Sequence, residues 1–199
     1  MNHEIKNSFI SAKIDSFGAQ LNSLKKVDNN LEYIWQANSK YWNRHAPILF
    51  PIVGRLKEDS YFYKNQKYSM TQHGFARDCE FELIEKDDDY LNFRLKSSDK
   101  TLEIYPFSFE FDIFYELMEN RLIVSYRVKN KTNGEMFFSI GGHPAFNVPL
   151  EKDLTFEDYY LKSSPMKSRI MIPLKGRYID VENRTLGQTN ATIALTRDL

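Results

Sequence analysis

Phe109-Glu110-Phe111-Asp112-Ile113-Phe114-Tyr115-Glu116-Leu117 places apolar side chains at the odd positions and a largely acidic set at the even ones. A period of two puts each set on its own face of a strand. The chain turns at Glu119-Asn120 and continues in the same style from Leu122 to Val128, which predicts a β-hairpin. Working upstream, Glu80 to Glu85 and Tyr90 to Lys96 read as strands around the acidic turn Asp87-Asp88-Asp89. That triplet is expected to be solvated rather than metal-binding. Tyr61 to Tyr63 and Lys67 to Met70 form a second expected hairpin around Asn65-Gln66. Nearer the N-terminus, Phe9 to Ile14, Ala19 to Leu24 and Leu31 to Trp35 are expected strands, separated by Gly18 and by the turn Asp28-Asn29-Asn30. Asn38 to His45 has room for a single helical turn. Beyond residue 150 the pattern weakens: short apolar pairs mix with charge as far as Asp180, and Thr189 to Thr196 alternates faintly. No stretch carries an apolar stripe over three helical turns, and there is no internal repeat. Closely spaced antiparallel strands predict an all-β sandwich or barrel formed as one domain over 1–199.

Composition narrows the partners. Of 199 residues, 42% are hydrophobic and 15% aromatic, enough for a real core and suited to β structure. Lys plus Arg equals Asp plus Glu at 27 each, for a net charge of zero. Neither nucleic acid nor an anionic membrane surface is therefore an expected partner. Met1-Asn2-His3-Glu4-Ile5-Lys6 lacks the apolar stretch of an export signal and no run approaches a membrane span, so a cytoplasmic protein is expected. The single cysteine, Cys79, allows no internal disulfide framework and reads as a small buried apolar residue.

Chemistry gathers where the strand pattern breaks. Gly141-Gly142-His143-Pro144-Ala145-Phe146-Asn147-Val148-Pro149 interrupts the alternating run Met136 to Ile140. Paired glycines permit a sharp turn or a close approach, and Pro144 stiffens the chain just after the imidazole. His143 is thus expected at a strand end, where a group titrating near neutral pH suits proton transfer. Thr71-Gln72-His73-Gly74-Phe75-Ala76-Arg77-Asp78 is a second break. Ala46-Pro47-Ile48-Leu49-Phe50-Pro51-Ile52-Val53-Gly54-Arg55 is apolar between two prolines, a buried irregular segment that delivers Arg55 to one place. Of four histidines, His3 and His45 read as structural or exposed, while His73 and His143 lie in matching loop contexts. They are seventy residues apart with no closely spaced ligand pair, so no metal is expected. A G-x-S-x-G elbow and a glycine-rich phosphate loop are both missing from the sequence. What remains is acid–base chemistry without a cofactor, with arginines and a glutamine holding a polyhydroxylated or anionic ligand.

These residues resemble a known family. Gln72-His73-Gly74-Phe75-Ala76-Arg77 and Gly142-His143-Pro144-Ala145-Phe146-Asn147, preceded by Phe50-Pro51-Ile52-Val53-Gly54-Arg55, are similar to motifs of the aldose 1-epimerase (galactose mutarotase-like) family. The likeness is to its bacterial lactose- and tagatose-utilisation branch and to the related hexose-6-phosphate epimerases, and it runs along the whole chain. It implies an antiparallel β-supersandwich that interconverts the α and β anomers of an aldose, free or phosphorylated. By this resemblance His143 is the general acid that protonates the ring oxygen, and His73 lies against the same sugar oxygens. Arg55, Gln72 and Arg77 match positions that hold the sugar or its phosphate.

One departure accompanies the resemblance. The family's catalytic base is a glutamate in a later part of a longer chain, and an aspartate that binds the sugar also comes from there. No glutamate of these 199 residues occupies that motif position. Asp180 and Glu182 read as solvated loop residues. The resemblance therefore implies a sandwich lacking the family's final strands, with apolar edges that favour self-association. Two further readings are a carbohydrate-binding module without turnover and a β-sandwich interaction protein with structural histidines.

Overall fold

The computed structural model describes residues 1–162, 168–176, 178–188 and 192–197. The chain divides into two compact units, Met1–Phe146 and Asn147–Leu199. In the first, β1 (Asn2–Lys6), β2 (Ile10–Asp15) and β3 (Gln20–Lys26) form an antiparallel three-stranded sheet. They are followed by the short β4 (Ile48–Leu49) and the hairpin β5 (Ser60–Tyr63) and β6 (Gln66–Ser69). Next come β7 (Glu82–Lys86), β8 (Tyr90–Lys96), a six-residue helix α1 (Asp99–Ile104), β9 (Phe109–Met118), β10 (Arg121–Asn130) and β11 (Gly141–Gly142). Strands β7 to β10 make a four-stranded sheet in the order β10-β9-β8-β7. The second unit holds β12 (Tyr160–Leu161), β13 (Ser168–Met171), β14 (Leu174–Lys175), β15 (Tyr178–Ile179), β16 (Thr185–Gln188) and β17 (Ile193–Ala194), joined pairwise as β12 with β17, β13 with β16 and β14 with β15. Among the described residues, no helix is long and apolar enough to cross a membrane.

The alternation of β9 appears directly in its burial, whereas β10 has no fully buried residue. Phe109, Phe111, Ile113, Tyr115 and Leu117 enter the core, joined from β8 by Leu91, Phe93 and Leu95. Each such side chain, fully buried, contributes roughly 1.5–3 kcal/mol. Phe50 is the hub: its ring is stacked on Phe111 at 4.6 Å and packs edge-on against Phe109 at 5.2 Å and Tyr105 at 6.1 Å. The opposite face of the hairpin is polar. There Asp112, nearly inaccessible, accepts from Arg94 Nε at 2.6 Å and Arg127 Nε at 2.9 Å. Removing this carboxylate strands two guanidiniums, but both retain access to water, so the loss stays below that of a fully buried pair. Asp112→Asn is expected to destabilise the protein by about 2 kcal/mol, read from the urea midpoint. A change within experimental error would show that the pair adds nothing.

Several local expectations meet tertiary forces. The tight hairpin turns at Lys64-Asn65, both with positive φ, one residue earlier than the sequence pattern suggests. Leu31 to Trp35 makes single bridges at Glu32 and Ile34 instead of a strand. The cause is the Glu32 carboxylate, which accepts from the Ser23 hydroxyl and from the backbone N–H groups of Leu24 and Ile34. Within Asn38 to His45, the N–H groups of Tyr41 and Trp42 both donate to Asn38 O at 3.0 Å, a single turn that goes no further. Helix α1, too short to show an apolar stripe, begins at a capping box between Ser98 and Thr101. Asp87, Asp88 and Asp89 form an exposed turn. Of the stretch Thr189 to Thr196, residues 189–191 lie outside the described residues, and Ile193–Ala194 is a short strand.

Candidate active site

The segment Ala46–Arg55 acts as a rail. Apolar from Ala46 to Ile52, it is buried through Pro51, and its backbone carbonyls hold both motif loops. On one side, β11 pairs with β4, Gly141 opposite Leu49 and Gly142 opposite Ile48. The His143 N–H then donates to Pro47 O at 3.1 Å and the Ala145 N–H to His45 O at 2.9 Å. On the other side, Phe50 O accepts from the N–H groups of Phe75 at 3.0 Å and Ala76 at 3.2 Å. Gly74 lies so close to this carbonyl that a Cβ there would sit 2.2 Å from Phe50 O. Phe50, fully buried among the aromatic rings, thus also sets the position of the His73 loop.

Held by this rail, the rings of His73 and His143 come within 5.7 Å of each other, edge to face at 65°. Trp42 also packs against His143, with ring centroids 5.1 Å apart and the planes tilted by 40°. His73 adopts φ +69°, a left-handed conformation costing about 1 kcal/mol for a residue with a Cβ. It is gripped twice by Gly54. The Gly54 N–H donates to His73 Nδ1 at 3.0 Å, and the His73 N–H donates to Gly54 O at 2.8 Å.

The remaining sequence-predicted residues divide. Gln72 has its side-chain amide 3.2 Å from His73 Nε2. Arg77 donates to Gln72 O at 2.7 Å and lies 3.6 Å from Asp78, too far for a hydrogen bond. Its Nε is buried and, among the described residues, has no hydrogen-bond partner. Arg55 follows Gly54 directly, but its guanidinium is in a two-pronged pair with Asp59 at 2.7 and 2.5 Å. Asp180, in the second unit, accepts from the backbone and side chain of Asn183. Sequence reasoning did not single out Trp42, Gly54 or Arg44, whose guanidinium reaches Asp78 at 2.7 Å. A tryptophan in a polar stretch was the one available signal for the first. Cys79 is half-buried, and burial followed by the Asp78 charge pushes its thiol up, away from the nucleophilic thiolate. Among the described residues, no three His, Cys, Asp or Glu side chains gather as metal ligands. An apolar groove of about 450 Å³, lined by Tyr61, Tyr63, Tyr105, Phe107, Phe137 and Phe138 among others, includes neither histidine of the pair.

Burial, then Arg77 and His143, holds His73 below the ordinary imidazole value. His3 and His45 are also lowered, burial being the largest cause in each. A depressed histidine is neutral in the folded chain while the unfolded chain, near 6.5, already takes up its proton. The stability this represents is complete above that value and is lost as pH falls through the folded-state values below it. The melting temperature should therefore drop between pH 7.5 and pH 5.5. A rise over that window would contradict the burial of these three rings.

Known proteins share this arrangement of sequence and fold. A family profile described as Aldose 1-epimerase matches residues 1–198. The plasmid and chromosomal LacX proteins of Lactococcus lactis subsp. lactis are each 38% identical over 174 residues, covering 84% of this chain. This chain spans 58% of their length. A galactose mutarotase related enzyme from Lactobacillus acidophilus superposes with a TM-score of 0.95 at 44% identity, over 100% of this chain and 66% of that one. A galactose mutarotase-like protein from Lactobacillus casei ATCC 334 gives 0.85 at 36%, over 100% of this chain and 69% of its own. The all-β expectation holds, with a galactose mutarotase-like sandwich fold and one small helix. A sequence profile spanning nearly every residue, and relatives well above the level at which fold alone is shared, place the chain in the aldose 1-epimerase family.

Proposed function

We propose that this chain interconverts the α and β anomers of an aldose in the cytoplasm, through the open-chain aldehyde, with His143 as general acid. The observation that carries this reading is the 5.7 Å approach of His73 and His143 from two separate motifs. In ring opening the bond from C1 to the ring oxygen breaks and C1 becomes a carbonyl. The ring oxygen takes a proton from His143, and the C1 hydroxyl gives one to a base, a carboxylate in the family pattern. His73 would touch the same sugar oxygens, with Gln72 beside it. Arg77 lies behind that loop, and Trp42 offers a ring face for the pyranose. Arg55 could take part only by sharing or leaving Asp59. The substrate is a monosaccharide or its phosphate.

A second reading is sugar binding without turnover, for which the adjacent histidines and Gln72 serve only as hydrogen-bonding groups. Magnetisation exchange between the anomers of glucose, galactose and glucose 6-phosphate separates the two. A rate above buffer that depends on His143 supports catalysis. Sugar-induced changes at the two histidines without faster exchange would leave the binder. The long edge strand β10 and the exposed rings of Tyr126, Phe137 and Phe138 support self-association as a further property.

A further inference from the structure

We infer that His73 is a neutral hydrogen-bond donor through Nε2, its tautomer fixed by the backbone N–H of Gly54. This deepens the reading of the pair as a sugar site by fixing the protonation form of one of its members.

An imidazole nitrogen that accepts a hydrogen bond cannot also carry a proton. His73 Nδ1 accepts from the Gly54 N–H at 3.0 Å, so the neutral ring holds its hydrogen on Nε2. The bond cannot easily rearrange, because the His73 N–H donates back to Gly54 O at 2.8 Å and ties both backbones together. A second proton would have to go to Nδ1, setting one N–H against another at the distance of a hydrogen bond. The charged and titratable groups facing the ring, Arg77 and His143, oppose it as well. Asp78 does not offset them, since its carboxylate is directed to Arg44 and Arg77.

Gln72 completes the arrangement. Its amide nitrogen faces Nε2 at 3.2 Å, which would set one N–H against another. A side-chain amide presents either end after a half turn, and the form that satisfies both groups has Gln72 Oε1 accepting from the Nε2 hydrogen. A sugar oxygen that displaced this amide would accept the same hydrogen bond from Nε2. His73 supplies a fixed dipole aimed at that oxygen, which stabilises charge there without exchanging a proton.

Long-range proton–nitrogen correlation spectra of the untagged, nitrogen-15-labelled protein test this between pH 5.5 and 8. His73 is assigned by its loss in His73→Gln. Should that variant fail to fold, it is assigned by elimination from His3→Gln, His45→Gln and His143→Gln. The expected spectrum shows a protonated Nε2 and a lone-pair Nδ1 at pH 7, with no uptake of a second proton until below the ordinary midpoint near 6.5. A hydrogen on Nδ1, or a midpoint at or above that value, would overturn the assignment. The spectra need neither sugar nor turnover. A failure here therefore leaves the anomer-exchange reading standing, and an inactive protein leaves the tautomer assignment intact.

Discussion

Replacing His143 with alanine is expected to lower the rate of anomer exchange by about 10²–10⁴-fold, the usual worth of a positioned general acid. The fold should survive the change. The ring is exposed, and its aromatic contacts are to Trp42 and His73. The backbone bond from His143 to Pro47 and the pairing of β11 with β4 do not use the side chain. The unfolding free energy should therefore move by no more than about 0.5 kcal/mol, as is typical of surface positions, with a correspondingly small change in melting temperature. His143→Gln, which keeps a hydrogen-bonding end but no titratable nitrogen, should lose nearly as much rate. If either variant exchanged anomers as fast as the parent, His143 would not be the acid, whatever else the pair does. Loss of rate together with loss of structure would be uninformative, which is why both quantities belong in one experiment.

Gly74→Ala is expected to be among the most damaging single changes, costing about 3 kcal/mol or more. Two independent causes act together. Gly74 has φ +72°, where a Cβ is strained, and that Cβ would lie 2.2 Å from Phe50 O and 2.7 Å from Pro51 N. Neither neighbour can yield, because Phe50 is packed among Phe109, Phe111 and Tyr105 and its carbonyl anchors the Phe75 and Ala76 N–H groups. The His73 loop would have to lift away, carrying its ring from His143. Gly134→Ala is the control: φ is also positive there, +119°, but nothing lies within 4 Å of the added carbon. It should cost only about 1 kcal/mol. Equal losses in the two variants, measured by urea unfolding, would show that conformation alone matters and the close approach does not.

Much of this protein can be read from local pattern. Phe109 to Leu117 alternates because one face of that strand meets the core and the other the Asp112 ion pairs, a period of two that follows from strand geometry itself. The motif residues Gln72, His73, Arg77 and His143 stood out because each lies where such a pattern stops. Leu31 to Trp35 was misleading for a reason of the opposite kind. Its apolar spacing suits a strand, yet the Glu32 carboxylate takes the hydrogen bonds of neighbouring backbone and side chain and ends the ladder.

Alternation and motif order are thus sufficient for the class of fold and for the family, since both are carried by neighbouring residues. Contact between residues seventy positions apart is another matter. It arises because Pro47 and Phe50 lend their carbonyls to two distant loops while the Phe50 ring is locked in the core. The same holds for the tautomer of His73, which depends on a backbone N–H from Gly54, nineteen residues away. A hydrogen bond of that kind depends on where two segments cross, and no property of either segment alone encodes the crossing.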